Sequence, residues 1–138
     1  EYIHNNEIFP DGEGLEYDIY KGLNKPEEIY FEQCFLHYPF GLCGMIDIIT
    51  IKDGVCKVWD IKTTKDLTEK KRAKMPPPYE HIPKGKLSMA RMQTSMYAEM
   101  LRWNGNEISD EVGVIHIEPY NMELLNIYHL PRVEIVGI

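Results

Sequence analysis

The sequence predicts an α/β domain in which a mixed β-sheet is flanked by helices, and three features of the 138 residues carry that prediction. Two β-branched runs flank Lys52-Asp53-Gly54, and Asp-Gly between such runs is among the strongest short-range hairpin signals. Apolar residues recur at helical spacing between Ser88 and Trp103. A further apolar run, Val112–Glu118, follows that helix, so the order is three strands, a helix and more strand.

Residues 1–28 are rich in Gly, Asn, Pro, Asp and Glu and read as irregular, with a short helix around Glu13–Gly22. Ile29–His37 reads as a strand with aromatic and apolar residues around Glu32, and Tyr38-Pro39-Phe40-Gly41 as a turn. Gly44–Ile51 and Val55–Lys62 are the hairpin strands. Residues 63–86 form a basic, Pro-rich loop, because Pro76-Pro77-Pro78 and Pro83 supply no amide donors and clash with a preceding helical turn. The helix Ser88–Trp103 has Ser88 as N-cap and Gly105 as its stop. Met89, Met92, Met96, Met100 and Trp103 are expected to be its buried stripe. Leu124–His129 and Val133–Ile138 are expected to be strands after Val112–Glu118.

The length suits one domain over residues 1–138, and a start at Glu1 rather than Met reads as a fragment trimmed at its N-terminus. No apolar run approaches the roughly 18 residues that cross a bilayer, and no signal peptide is present, so no membrane partner is expected. Cys34, Cys43 and Cys56 have neither disulfide-framework nor zinc spacing. They read as small half-buried apolar residues in a reducing, intracellular setting, with no iron–sulfur cluster. The net charge of −7 disfavours a polyanion-binding surface overall. It is unevenly spread, however. From Lys57 to Arg91 ten basic residues face four acidic ones, an excess of +6, which leaves −13 for the rest. A basic segment on an acidic body fits either a one-sided grip on a polyanion or a solvated loop.

With Asp53-Gly54 at the centre of a two-residue turn, pairing runs Lys52–Val55, Ile51–Cys56, Ile49–Val58 and Asp47–Asp60. Directly opposed β-carbons lie about 4.5–5.5 Å apart on one face. Two carboxylates therefore emerge side by side on a surface of Ile49, Ile51, Cys56 and Val58, with Lys62 on the same face. Each charge costs several kcal/mol to desolvate, and the two repel. Lys62 offsets one charge, and a divalent cation would offset two more; magnesium accepts a few carboxylate oxygens and keeps several waters. The hairpin alone leaves two readings open: a cation site, or a plain ion pair of Lys62 with Asp60 or Asp47 at a solvated sheet end. If residues 38–41 form a four-residue loop, His37 pairs with Leu42 and Glu32 faces Asp47; a one-residue slip sends Glu32 to the other face. Gln93 and Tyr97, four apart, share one helix face.

Together, Glu32, Gly44-Met45-Ile46-Asp47, Asp60-Ile61-Lys62 and Gln93-x-x-x-Tyr97 resemble the RecB-like branch of the PD-(D/E)XK nuclease superfamily, which shows E, G-x-x-D, (D/E)-x-K and Q-x-x-x-Y in this order. The match spans residues 30–100, and Pro76–Pro83 also looks like a segment of phage-type and giant-virus-type members. The resemblance implies a restriction-endonuclease-like core and a Mg²⁺- or Mn²⁺-dependent nuclease acting on DNA, an exonuclease by the habit of the branch. By that analogy Asp47, Asp60 and the Ile61 carbonyl ligate the metal, and Glu32 joins them directly or through water. Lys62 activates the attacking water. Gln93 and Tyr97, with Lys65, Lys70, Lys71, Arg72 and Lys74, contact DNA or support the site. A bacterial or virus-infected cytoplasm and a larger recombination or replication assembly are the implied setting. The branch often carries a His or Glu on a helix before the first strand, and no counterpart is assigned here. The rival from another class is a catalytically inactive nucleic-acid-binding or scaffolding module on the same fold, against which the complete Asp47, Asp60, Lys62 set argues. A calcium-stabilised interaction domain is disfavoured by the Lys62 ammonium.

Overall fold

The computed structural model describes residues 2–4, 15–37, 41–65, 67, 70–74 and 76–135. In chain order the elements are β1 (Tyr2–His4), α1 (Leu15–Gly22), β2 (Glu28–His37), β3 (Leu42–Lys52), β4 (Val55–Lys62), β5 (Lys70–Lys74), β6 (Pro83–Gly85), α2 (Lys86–Trp103), β7 (Glu107–Ile108), β8 (Glu111–Ile117) and β9 (Leu124–Pro131). Asp53 (φ 53°) and Gly54 (φ 78°) both adopt the left-handed conformation of a type I′ turn, whose twist matches that of the strands it joins. The rungs Lys52↔Val55, Ile51↔Cys56 and Ile49↔Val58 follow as the sequence predicts.

The main sheet runs β1-β2-β3-β4-β8-β9, with β7 also alongside β4. It is mixed: β4 is parallel to β7 and β8, and the other neighbours are antiparallel. Parallel neighbours need a crossover, and α2 supplies the one between β4 and β8. Each face of the sheet buries its own core. On the α1 side Ile29, Ile48, Trp59, Ile115 and Ile117 pack with Tyr20 and Leu23. On the α2 side Ile46, Ile49, Cys56, Val58 and Val112 pack with Ala98. Trp59 is anchored within its layer by donating from Nε1 to Thr50 Oγ1 at 2.9 Å, which fixes the strand carrying Asp60. No helix of the described residues is long and apolar enough to cross a bilayer.

Several expectations are corrected. The methionine stripe of α2 is not its buried face: only Met100 is sealed, while Met89 is 49% and Met96 37% exposed, and Trp103 is exposed too. The buried residues are Ala90, Thr94, Ser95, Ala98, Glu99 and Met100. Small side chains let the helix lie close to the sheet. The two hydroxyls satisfy themselves on the helix backbone, Thr94 on Ala90 O and Ser95 on Arg91 O, both at 2.7 Å. Glu99 is neutralised by Arg102 and by Arg132 at 3.6 Å. The helix also starts at Lys86, behind Gly85, so Ser88 is not its cap. The stop at Gly105 is as expected, with φ 94° and its N–H on Arg102 O.

Residues 63–86 are not all loop, since β5 and β6 pair as a separate two-stranded ribbon. Val133–Ile135 is not strand; Val133 N–H is taken by Ser95 Oγ at 2.9 Å, which turns the chain onto α2 instead of along β9. Of the cysteines expected to be half-buried, Cys34 and Cys43 are exposed and Cys56 is buried. The turn residues 38–40, the start of the expected first helix at residues 13–14, and residues 136–138 lie outside the described residues.

Candidate active site

The β3–β4 ladder ends at Ile48↔Trp59, one rung short of the predicted Asp47–Asp60 pair. The side-chain alternation of β3 breaks at the same place. Ile46 packs on the α2 side and Ile48 on the α1 side, although two residues apart they would ordinarily share a face. The neighbouring strand breaks opposite it. The β2–β3 register is the predicted one, with His37↔Leu42, Gln33↔Ile46 and Phe31↔Ile48, yet the rung Glu32–Asp47 between them is skipped. Glu32 there has φ 49°, a conformation that costs a non-glycine residue about 1–2 kcal/mol.

Freed from its rung, Asp47 turns its carboxylate onto the adjacent strand, where Oδ2 accepts the Ile61 N–H at 2.9 Å. Asp60 lies beside it, on the strand position after Val58 that shares the α2 side. Asp60 Oδ2 is buried without an aligned hydrogen bond. Lys62 Nζ stands 3.2 Å from that oxygen, an ion pair whose direction falls outside hydrogen-bond alignment. Burial first, and the neighbouring Asp47 carboxylate second, push the Asp60 carboxyl up to about 6, against the opposing pull of Lys62.

Glu32 is exposed across the skipped rung, and among the described residues no three His, Cys, Asp or Glu side chains converge at metal-binding distance. The structure therefore brings together Asp47, Asp60, Lys62 and the Ile61 backbone, and leaves Glu32 outside that group.

The second half of the site comes from α2. Tyr97 lies against Gly44: a β-carbon added there would stand 2.6 Å from Tyr97 Cε1 and 2.9 Å from its hydroxyl oxygen. Only glycine admits the ring at this distance. Gln93 Nε2 donates to the Tyr97 hydroxyl at 3.2 Å. Tyr97 thus joins its helix neighbour Gln93 to Gly44, far away in sequence. They open onto a cleft of about 970 Å³ between the sheet and α2, lined by Lys62, Gln93, Tyr97 and all four methionines of the helix. Lys62 lines the cleft; Asp47 and Asp60 do not, and Asp60 meets Lys62 from the sheet.

Sequence reasoning did not single out Thr64, Lys86 or His116. Lys86 Nζ donates to Thr64 Oγ1 at 2.8 Å, and His116 Nε2 lies 2.6 Å from Thr64 O, fixing the chain as it leaves Lys62. His116 is the β8 partner of Lys62, and a buried histidine in an otherwise apolar strand was the available signal. Lys65 is exposed and does not line the cleft. Lys70, Lys71, Arg72 and Lys74 lie on β5, and their side chains are outside the described residues.

Comparison with known proteins adds no relative. No family model, no curated protein and no solved structure matches the chain.

Proposed function

We propose that this chain is a Mg²⁺- or Mn²⁺-dependent DNA nuclease, cutting from DNA ends, on a restriction-endonuclease-like core. The observation that carries the reading is the open end of the β3–β4 hairpin, where two adjacent carboxylates and a lysine stand beside the cleft that holds Gln93 and Tyr97. A buried carboxylate oxygen with no aligned hydrogen bond, next to a second carboxylate, is a donor set that fits a hard divalent cation. Asp47 and Asp60 would hold the cation, with the Ile61 carbonyl as the further donor that the resemblance implies; Glu32, outside this group, would join only through water. When bound, the cation supplies Lewis acidity and lowers the pKa of the attacking water.

The chain's own groups do the rest. Asp47, tethered by the Ile61 N–H, keeps its position without needing a partner side chain. Lys62, the charged group of the site that reaches the cleft, orients the attacking water and sets positive charge where the phosphate gains negative charge. Gln93 and Tyr97 hold the phosphate backbone in register. The β5 basic residues and Lys65 add sequence-independent attraction to the polyanion.

The test is cleavage of end-labelled linear DNA in Mg²⁺, Mn²⁺ and EDTA by the wild type and Lys62→Ala. Metal-dependent cleavage that the variant loses supports the enzyme. DNA binding without cleavage by the wild type would replace it with a catalytically inactive binding module on the same fold.

A further inference from the structure

The cleft has a second chemistry that phosphate hydrolysis does not need. Met89, Met92 and Met96 turn toward it from α2, and Met89 and Met96 keep about half and a third of their surface exposed. Tyr79 and Tyr97 complete the wall. The helix packs on the sheet through Ala90, Thr94, Ser95, Ala98 and Met100, and Met92 packs partly on Ile82 and Val133, so it is Met89 and Met96 that the core does not use. A contiguous exposed apolar surface beside a polar site marks a place where something apolar is held. Methionine suits a flat aromatic guest, because its thioether is polarizable and its three rotatable bonds let it follow the guest's outline.

Charge narrows the guest further. Among the described residues the cleft is lined by Lys62, which also pairs with Asp60, and Lys86, and by no acidic side chain. With a cation on the carboxylates that Lys62 now faces, Lys62 and Lys86 favour an occupant that is both flat-apolar and anionic. A stacked duplex shows a protein its phosphates and sugars and hides its base faces, so a methionine wall gains nothing from it. An unpaired strand offers both parts at once, bases to lay on the wall and phosphates to meet the lysines.

We infer that the cleft receives unstacked bases of single-stranded DNA beside the scissile phosphate, so that the substrate is a single strand or a frayed end. This rests on the nuclease reading. Contact through thioethers and ring faces carries no donor–acceptor code, so recognition is independent of base sequence.

The test compares a labelled oligo(dT) with a blunt hairpin duplex of equal length: binding by fluorescence anisotropy in Ca²⁺, and cleavage in Mg²⁺. The wild type is expected to bind and cut the single strand at least about tenfold better. Met89→Ser with Met96→Ser should weaken single-strand binding about tenfold, while Met89→Leu with Met96→Leu retains it. Both side chains are exposed, and unchanged circular dichroism confirms that the variants fold. Equal use of both DNAs, or serine variants that bind the single strand as the wild type does, overturns the inference while metal-dependent cleavage keeps the nuclease reading standing. Absence of metal-dependent cleavage of either DNA removes both.

Discussion

At its closed end the β3–β4 hairpin keeps every rung from Lys52↔Val55 to Ile48↔Trp59, joined by two residues in the conformation the turn demands. At its open end the ladder stops, β3 loses its alternation, and two carboxylates stand together with one oxygen lacking a hydrogen bond. One end follows the rules that stabilise a sheet. The other departs from three of them within a few residues, and Glu32 in the neighbouring strand departs with it. Stability alone does not favour such a cluster, since two adjacent half-buried carboxylates sharing one lysine cost free energy. The contrast separates the part of the hairpin that holds the fold from the part to which we assign the proposed chemistry, and substitutions at each end should behave accordingly.

The largest effect is expected from Lys62→Ala. Loss of the lysine that joins the carboxylates to the cleft should slow cleavage by about 10²–10³-fold, with the melting temperature changed by only a few degrees, as checked by turnover assays beside thermal melts. A melt that collapses instead would make Lys62 a structural residue.

Gly44→Ala comes next. Its methyl meets the Tyr97 ring and should cost about 1–3 kcal/mol of stability. In a double-mutant cycle, Tyr97→Ala should recover part of the loss, since it vacates the space. Purely additive effects would show that ring and strand do not press on each other.

Asp60→Asn should act in opposite directions with and without metal. Asp60 has a folded pKa near 6, above its ordinary value of 3.8, so the native state holds its proton longer than the unfolded chain. This group's contribution to stability therefore falls as pH rises from about 4 to about 6 and stays low above that. In EDTA at pH 7.5 the asparagine variant should melt higher than the wild type, by about 1 kcal/mol or a few degrees. In Mg²⁺ the wild type should gain stability and the variant should not. A variant that melts lower in EDTA would return the pair to a plain ion pair with Lys62.

The smallest functional effect belongs to the closed end. Gly54→Ala places a side chain at φ 78° and should cost about 1 kcal/mol in stability while leaving cleavage unaltered. A change in cleavage would mean that the two ends of the hairpin are coupled.

The hairpin was legible in the sequence because Asp53-Gly54 admits essentially one turn, and the turn sets the register that brings Asp47 near Asp60 and puts Lys62 on the same face. The end of the ladder at Ile48 was not legible, because alternation extrapolated from the turn carries no signal of where pairing stops. Helix α2 was found at its proper place but rotated. Two residue sets repeat at helical spacing there, the methionines and the small residues, and hydrophobicity favoured the first. Close approach to the sheet favoured the second, a tertiary constraint invisible in a single helix. The motif pairing of Gly44 with Tyr97 was visible only as two separate motif positions; that one exists to admit the other emerges from the packing.

The crossover through α2 also has a consequence in time. The β3–β4 hairpin needs only a two-residue turn and belongs to a class of structure that forms in about 1–10 μs. The β4–β8 pairing must first close the long connection that carries β5, β6 and α2, and such non-local closure is slow. The carboxylates and the lysine are accordingly expected to assemble early, and the helix bearing Gln93, Tyr97 and the methionine wall to dock late. A growing chain would then carry half a site and acquire the cleft only when the last strands close the sheet.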